Sequence, residues 1–264
     1  MKLFEKDGLK YFSFDTFPDS VTNAIFTRLG GVSQGESWGL NVGSNVGDEI
    51  SNVWENKRKI FSALNFAENN YFDCWQVHGP DYVLVNATHG SIGRIREFKA
   101  DAMLTNVPGV PLFMRFADCT PIMIYDPVQK AVGIAHAGWQ GTIKGVARNL
   151  VMGFQAAFGS NPKDLIAGIG PSIGPDHYEI SEPVLSHVEN SHSHNTIRLI
   201  KSNEYNKVTF DLWEANKIEL ERVGVEKIEV SGICTACNTN EWFSHRAERG
   251  RTGRFAAIVS LKKN

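Results

Sequence analysis

The chain has few cysteines and no excess of either charge. Its 264 residues include only four cysteines, and 27 Lys and Arg stand against 29 Asp and Glu, which gives a formal net charge of −2. Four cysteines are few for a disulfide framework at this length, so we expect thiols in a reducing compartment. The balanced charge argues against binding to nucleic acid or to an anionic membrane, because such proteins show a basic excess or patch.

Long apolar runs are also missing. No stretch reaches the roughly 18 apolar residues that a membrane span needs. Charges interrupt the N-terminal MKLFEKDGLKYFSFD, where a signal peptide would have an apolar core. These absences predict a cytoplasmic protein. The hydrophobic fraction of 42% is that of an ordinary folded domain, so general disorder is excluded.

Repeats, low-complexity tracts and Pro/Ser-rich linkers are absent as well, which predicts a single domain over residues 1–264. Helical periodicity predicts helices over Ile50–Leu64, Thr142–Phe158 and Leu212–Val223, the last one capped by Asp211. Strand-like runs outnumber these helices and follow one another along the chain, and Ile197–Ile200 is one of them. This order favours an α+β fold with mixed β-sheets and flanking helices over a doubly wound parallel sheet.

Three side chains that can bind metals stand at predicted strand ends. Cys119 follows Asp118 in a turn between two strands, and His136 ends the next strand, 17 positions later. Two adjacent antiparallel strands would bring this pair together, and His78 ends another apolar run before Gly-Pro. The three residues suit the rim of a pocket, although His and Cys at such positions are more often simply packed or hydrogen-bonded.

Ordered motifs run through nearly the whole sequence. They are FTRLGGVSQG (26–35), GLNVGSNVGD (39–48), WQVHG (75–79), ADAMLTNVPG (100–109), ADCTPIMIYD (117–126), AHAGWQGT (135–142), IGPSIGPDHYEI (169–180) and WFSHRAERGRTGRFAAIVSL (242–261). Together they resemble the YfiH-like family, also known as laccase-domain proteins. The resemblance implies an α+β fold of the YfiH-like cysteine-hydrolase type and a metal site at His78, Cys119 and His136, which are also the implied catalytic residues.

The resemblance further implies an activity on purine nucleosides. Members are described as phosphorylases of adenosine, inosine and methylthioadenosine, as adenosine deaminases, as copper-dependent phenol oxidases and as peptidoglycan editing factors. We therefore expect a purine nucleoside and phosphate as small-molecule partners, Zn²⁺ or alternatively Cu²⁺ as cofactor, and a monomer or homodimer. A multicopper laccase, however, needs many histidines, and this chain has 8, with its one His-x-His at His192 and His194 in a polar segment.

The implied activities require different groups in the site. Two His nitrogens and one thiolate leave a fourth tetrahedral position open, as in catalytic zinc sites. Such a zinc activates water for deamination, whereas phosphorolysis also needs cations for phosphate. Our candidate substrate-binding residues are Arg28, Asn41 and Arg246, with Ser33, Arg249, Arg251 and Arg254 as further candidates. Gln140 stands where the family has Arg, and the segment HRAERGRTGR also departs from the family pattern.

The sequence offers a second possible zinc or redox site. His177 and Glu179, followed by Cys234 and Cys237, have the shape of the H-x-E … P-C-x-x-C signature of nucleobase deaminases, although Ile233 replaces the Pro. The CxxC could instead be a redox pair.

Two further hypotheses do without metal-dependent catalysis. Cys119 as nucleophile and His136 as base, oriented by Asp118 or a backbone carbonyl, would make a hydrolase or amidase that edits a mis-made peptidoglycan precursor. Alternatively, the chain would be a non-catalytic metal-binding module.

Overall fold

Two mixed six-stranded sheets form the centre of the computed structural model, which describes residues 1–68, 70–86, 98–191, 196–202 and 207–263. The described strands are β1 (Lys2–Lys6), β2 (Leu9–Ser13), β3 (Val21–Phe26), β4 (Phe72–Asp73), β5 (Tyr82–Leu84), β6 (Ala102–Thr105), β7 (Leu112–Phe116), β8 (Thr120–Asp126), β9 (Ala131–Ala137), β10 (Ile166–Ile169), β11 (Ile200–Ser202), β12 (Val208–Phe210), β13 (Lys227–Val230) and β14 (Phe255–Leu261).

Both sheets combine an antiparallel centre with parallel pairs at the edge. The first sheet has the order β1-β2-β3-β14-β7-β4 and the second has the order β13-β10-β8-β9-β6-β5. The β4–β7 pair is parallel in the first sheet, as are the β10–β13 and β5–β6 pairs in the second. This mixture confirms the α+β class with mixed sheets.

The period-two alternation of the strands divides their side chains between separate cores. In β7, Leu112, Met114 and Phe116 pack in a core that also holds Met123 and Ile134 of the second sheet. The intervening Phe113 packs on the other face of the first sheet, against Phe61 of a helix. The second sheet likewise turns Ile122 and Ile124 toward Leu150 and Phe154 of a helix. The sheets thus pack face to face with helices outside.

The described helices are α1 (Ile50–Ala63), α2 (Trp139–Lys144), α3 (Val146–Phe158), α4 (Glu182–Ser191), α5 (Thr196–Leu199) and α6 (Leu212–Arg222). The Asp211 cap is confirmed, since its Oδ1 accepts a hydrogen bond from the Glu214 N–H at 3.0 Å. The helix predicted over Thr142–Phe158 is interrupted at Gly145, whose φ of 80° ends α2. None of the helices in the described part of the chain is long and apolar enough to cross a membrane.

The strand predicted over Ile197–Ile200 is wrong for most of its length. Residues Thr196–Leu199 form α5, and a strand begins only at Ile200. The helical turn buries Leu199 against Phe210 and leaves Ile197 exposed, an arrangement that the apolar residues alone did not distinguish from strand alternation.

Strands β7 and β8 lie in different sheets, and the chain crosses between them at residues 117–119. β8 then pairs antiparallel with β9, with Pro121 opposite His136 and Thr120 opposite Ala137. The predicted pairing of adjacent antiparallel strands is therefore confirmed, and it places Cys119 beside the carboxyl end of β9 where His136 lies.

Candidate metal centre and cleft

His78, Cys119 and His136 come from three separate segments and converge. Their ligand atoms all lie within 4.8 Å of one another, and Nε2 of His78 is 4.0 Å from Sγ of Cys119. The rings of His78 and His136 have centroids 5.0 Å apart. His136 is buried in β9, whereas His78 is exposed on the loop between β4 and β5. The group therefore has a buried side and an open side.

Asp101 connects both histidines, and the sequence did not single it out. Its Oδ1 lies 2.8 Å from Nδ1 of His136, while Oδ2 accepts hydrogen bonds from the N–H groups of Val77 and Gly79. Burial alone would raise the pKa of Asp101, but the bonds from His136, Gly79 and Val77 outweigh it and lower that pKa. An ionised Asp101 fixes the His136 ring with Nδ1 as donor, which leaves Nε2 as the nitrogen available to a metal.

Two residues at this site have a backbone conformation that is unusual for non-glycine residues. His78 has a φ of 58° and Asp118 a φ of 79°, both in the left-handed region that non-glycine residues seldom adopt. The Asp118 conformation is held by its carboxylate, which accepts hydrogen bonds from Thr235 Oγ1 at 2.7 Å and from the Arg246 N–H at 2.6 Å. Asp118 therefore does not orient the His136 ring, as the hydrolase hypothesis suggested; Asp101 does.

The thiol of Cys119 and the imidazole of His136 stabilise each other's charged forms. Burial alone would raise the pKa of Cys119, but the charge of His136 and hydrogen bonds from His136 and His78 lower it. Burial alone would lower the pKa of His136, but Cys119 and Asp101 raise it. The cysteine is consequently a thiolate near neutral pH, the form that binds metals and attacks electrophiles.

The donor set and the space around it fit a zinc ion. Gly138 follows β9, and a Cβ atom at this position would lie 2.8 Å from Sγ of Cys119 and 3.1 Å from Cδ2 of His78. The missing side chain keeps the space beside the three donors open. Two imidazoles and a thiolate are preferred zinc ligands, and a three-residue set leaves one position for a substrate or water.

The His78/Cys119/His136 group lines a cleft of about 560 Å³, a size typical of small-molecule sites. Three arginines line the same cleft, namely Arg115, Arg246 and Arg254. Trp75, Trp139 and Tyr178 line it too and supply flat apolar surface. Potential metal ligands, cations and aromatic rings thus face one volume.

Arg246 is one of the predicted substrate-binding residues, and it lines the cleft. Its Nη1 donates to the Glu179 carbonyl at 2.8 Å, and its guanidinium lies 5.0 Å from the centre of the Tyr178 ring. Both contacts orient the planar group. Arg115 also lines the cleft, where it is buried and paired with Asp73. Arg115 was not selected from the sequence, and its position two residues before the ADCT motif was the only feature that could have indicated it.

The structure does not bring Arg28 or Asn41 to the cleft lining. Arg28 is buried, and its guanidinium donates to the carbonyls of Trp38 and Thr239 and pairs with Glu248. Asn41 is fully buried, and its Oδ1 accepts the N–H groups of Gly43 and Arg254. The bonds of Asn41 hold the backbone at Gly43, in the loop at 43–46 that does line the cleft, whereas those of Arg28 join the segments around Trp38, Thr239 and Glu248.

Of the further candidates from the N-terminal and C-terminal motifs, Arg254 lies in the cleft lining, and Ser33, Arg249 and Arg251 do not. Ser33 donates to Asp48 within a buried turn, and Arg251 pairs with Glu36 at the surface. Arg249 is exposed and does not line the cleft, whereas Arg254 lines it and donates to the Thr252 and Gly253 carbonyls. Gln140 also faces this cleft, at the position where the family has Arg.

The deaminase signature is not assembled as the motif requires. Glu179, which would be its acid–base residue, lies 2.9 Å from Nζ of Lys207 and is not among the side chains gathered around His177 and the two cysteines.

His192 and His194, the His-x-His pair of the sequence, lie outside the described residues.

Fold and site together define a mixed α+β protein in which three potential metal ligands and three arginines line one cleft of the size of a small-molecule site. Residues 22–262 match the family described as multi-copper polyphenol oxidoreductase laccase, and the chain belongs to this family. The resemblance to YfiH-like proteins is confirmed by the relatives and solved structures it matches.

Two relatives are bacterial proteins of nearly the same length. The chain is 34% identical to the purine nucleoside phosphorylase YlmD of Geobacillus stearothermophilus, over 90% of this chain and 89% of that one. It is also 34% identical to the purine nucleoside phosphorylase YlmD of Bacillus subtilis, over 92% and 89%. The crystal structure of the hypothetical protein YfiH from Bacillus licheniformis superposes with a TM-score of 0.90 at 32% identity, covering 98% of both chains.

Proposed function

We propose that this protein is a zinc-dependent purine nucleoside phosphorylase that acts on adenosine, inosine and methylthioadenosine, with adenosine deaminase activity at the same site. The observation that carries the proposal is the single cleft that contains both the His78/Cys119/His136 group and the guanidinium of Arg246. Relatives of nearly equal length that are named purine nucleoside phosphorylases support it.

Phosphorolysis needs a phosphate held beside the glycosidic carbon and a purine held by its faces and edges. Arg246 carries five N–H donors in a plane that matches two phosphate oxygens. Its contacts with the Glu179 carbonyl and the Tyr178 ring fix that plane before phosphate arrives, which reduces the entropy lost on binding. Arg115 and Arg254 add positive charge on the same walls.

The base and the metal have separate parts of the cleft to occupy. Trp75, Trp139 and Tyr178 offer ring faces on which a purine can stack. Zinc, when bound at His78, Cys119 and His136, supplies Lewis acidity that polarises a coordinated group. Asp101 keeps His136 in the tautomer that such binding requires.

The proposal is tested by measuring metal content together with the products of adenosine, with and without phosphate. We expect zinc to be retained at the trio, free adenine only when phosphate is present, and inosine as the deamination product. Cys119→Ala is expected to remove this zinc and both products. Cys74→Ala, which removes a thiol from the hydrophobic core, is the matched control and should retain both. Full activity of metal-stripped Cys119→Ala protein would overturn the proposal, and copper in place of zinc would overturn the metal assignment.

A cysteine hydrolase is a second candidate, because Asp101, His136 and Cys119 also have the order of a Cys–His–Asp triad. Its substrate would be an amide, as in a mis-made peptidoglycan precursor. This candidate predicts activity that survives chelators and is lost when iodoacetamide alkylates the metal-free protein. The phosphorylase predicts loss of activity with the chelator alone and its return when zinc is added. A non-catalytic metal-binding module predicts no turnover in either assay.

A further inference from the structure

A second group of potential metal ligands lies in the described part of the chain, outside the His78/Cys119/His136 site. It consists of Asp176, His177, Cys234 and Cys237, and one ligand atom from each lies within 4.8 Å of all the others. We propose that these four side chains form a structural zinc site. None of them lines the cleft, and the proposed phosphorylase does not use them.

The distances among the four donors match the edges of a zinc coordination tetrahedron. With Zn–S bonds of about 2.3 Å and Zn–N and Zn–O bonds of about 2.1 Å, the S···N and S···O edges are about 3.6 Å and the N···O edge about 3.4 Å. Sγ of Cys237 lies 3.5 Å from Nδ1 of His177 and 3.6 Å from Oδ2 of Asp176. Nδ1 of His177 lies 3.9 Å from Sγ of Cys234 and 3.0 Å from Oδ2 of Asp176. These four separations are within about 0.4 Å of the ideal edges, and the other two lie within 4.8 Å, so the four donors surround a space that one ion can occupy.

The identity of the donors favours zinc over the hard cations. Two thiolates and an imidazole are soft or borderline ligands, which Mg²⁺ and Ca²⁺ do not select. Four protein ligands complete a tetrahedron and leave no open position, which is the feature of structural rather than catalytic zinc. The site therefore differs in kind from the three-residue group in the cleft.

The backbone supports the thiolates as it does around known zinc–cysteine sites. The N–H of Gly174 donates to Sγ of Cys234 at 3.2 Å, and such a hydrogen bond stabilises a ligating sulfur. A Cβ atom at Gly174 would crowd this place, since it would lie 3.0 Å from the Trp213 ring and 3.1 Å from Cβ of Cys234.

The site joins two segments that build the cleft. Tyr178, which lines the cleft, directly follows His177. Thr235, between the two cysteines, donates to Asp118, the neighbour of Cys119. The zinc would thus fasten the segment at 174–178 to the turn at 234–237 and fix the position of the Tyr178 ring.

The first test counts zinc in the purified full chain under reducing conditions. We expect close to two zinc ions in the wild type, one in Cys119→Ala, one in Cys237→Ala and none in the double variant. Cys237→Ala should also lower the melting temperature by several degrees, since a structural zinc stabilises the folded state. His187→Ala, which removes an exposed histidine on the neighbouring α4, is the control and should keep two zinc ions.

The second test uses Co²⁺ as a spectroscopic probe in the Cys119→Ala protein, where the cleft thiolate is absent. We expect thiolate-to-cobalt charge-transfer bands and the intense d–d bands of tetrahedral coordination, both lost when Cys237→Ala is added. If Cys237→Ala does not fold, Asp176→Asn is used instead, because the Asp176 side chain is exposed and its substitution should leave the fold intact. This variant should release zinc to a chelator more readily than the protein that retains Asp176.

Three results would overturn the inference: a wild type with one zinc whose content Cys237→Ala leaves unchanged, loss of all zinc in Cys119→Ala, or a Cys234–Cys237 disulfide in the protein purified under reducing conditions. Each of these results leaves the phosphorylase proposal standing, because that proposal depends on the zinc retained through Cys119.

Discussion

Asp101 Oδ1 lies 2.8 Å from Nδ1 of His136, and the other oxygen of the same carboxylate binds the backbone on both sides of His78. One buried carboxylate therefore orients the ring of His136 and holds the backbone of the loop that contains His78. Such an outer partner acts on the metal through the ligands, so Asp101 is a positioning residue and not a ligand.

Asp101→Asn should weaken zinc binding at the cleft by about 10- to 100-fold, the range found for outer-shell partners of ligating histidines. The amide keeps the volume but loses the charge that holds His136 with Nδ1 as donor. A competition titration with a chelator measures the change. Asp126→Asn is the control, because this buried carboxylate accepts the N–H groups of Val128 and Gln129 far from the cleft. Equal zinc affinities in the two variants would contradict the positioning role.

Gly138→Ala should reduce zinc occupancy at the cleft and leave the fold intact. The new methyl group would lie 2.8 Å from Sγ of Cys119 and 3.1 Å from Cδ2 of His78, so both side chains must move away from the position that a metal requires. Gly141→Ala is the matched control, because its Cβ meets neighbours only at 3.4 Å or more. Metal analysis and circular dichroism of both variants test this, and full occupancy in Gly138→Ala would show that the donors do not converge on this space.

The sequence was sufficient to pair Cys119 with His136, because a strand, a short turn and another strand form a local antiparallel arrangement whose geometry is nearly fixed. It was not sufficient to find Asp101, since the contact with His136 depends on how β6 and β9 pair across 35 positions. Two arginines show the same limit: Arg28 was predicted to bind substrate and lies outside the cleft lining, whereas Arg115 was not selected and lines the cleft. Only the packing decides that Arg28 pairs with Glu248 while Arg115 lines the cleft.

The resemblance to a family supplied what pattern analysis could not. The ligand role of His78 came from the motif WQVHG, because its loop has no regular period that would place it near β9. Asn41 likewise came from a family motif, GLNVGSNVGD (39–48), but membership in a motif does not separate a side chain that contacts substrate from one that holds a loop. The four hydrogen bonds of Asn41 to Gly43, Arg254 and Asp48 make that distinction.

Arg246→Ala should raise the KM for phosphate by about 10-fold and change the KM for the nucleoside much less, because a lost charge-assisted hydrogen bond costs about 1.5 kcal/mol or more. Arg246→Lys should recover part of the loss, since it keeps the charge but not the planar fork. Arg251→Ala is the control from the same segment, an exposed arginine paired with Glu36 outside the cleft. Initial rates at varied phosphate decide the matter, and a purely nucleoside-dependent effect would contradict phosphate binding by Arg246.

Asp48 organises the buried turn that contains Ser33 and Asn41, and its contribution to stability should depend on pH. Its Oδ2 accepts hydrogen bonds from Ser33 Oγ and Asn41 Nδ2, and Oδ1 accepts one from Asn52 Nδ2. Burial alone would raise the pKa of Asp48, but these three hydrogen bonds outweigh it and lower the pKa. A carboxylate with a lowered pKa in the folded state stabilises that state at pH values above its unfolded pKa of about 3.9.

Asp48→Asn should therefore lower the free energy of unfolding by about 1 kcal/mol at pH 7, where the charged acceptor is fully formed. As the pH falls from about 4 through the lowered pKa of the folded protein, Asp48 takes up a proton and the difference between wild type and variant should shrink. Urea unfolding at pH 7 and at several values below pH 4 measures it, with Asp19→Asn, an exposed carboxylate, to correct for the change in net charge. A difference that grows on acidification would mean that the turn prefers the protonated acid and would contradict the assigned hydrogen-bond directions.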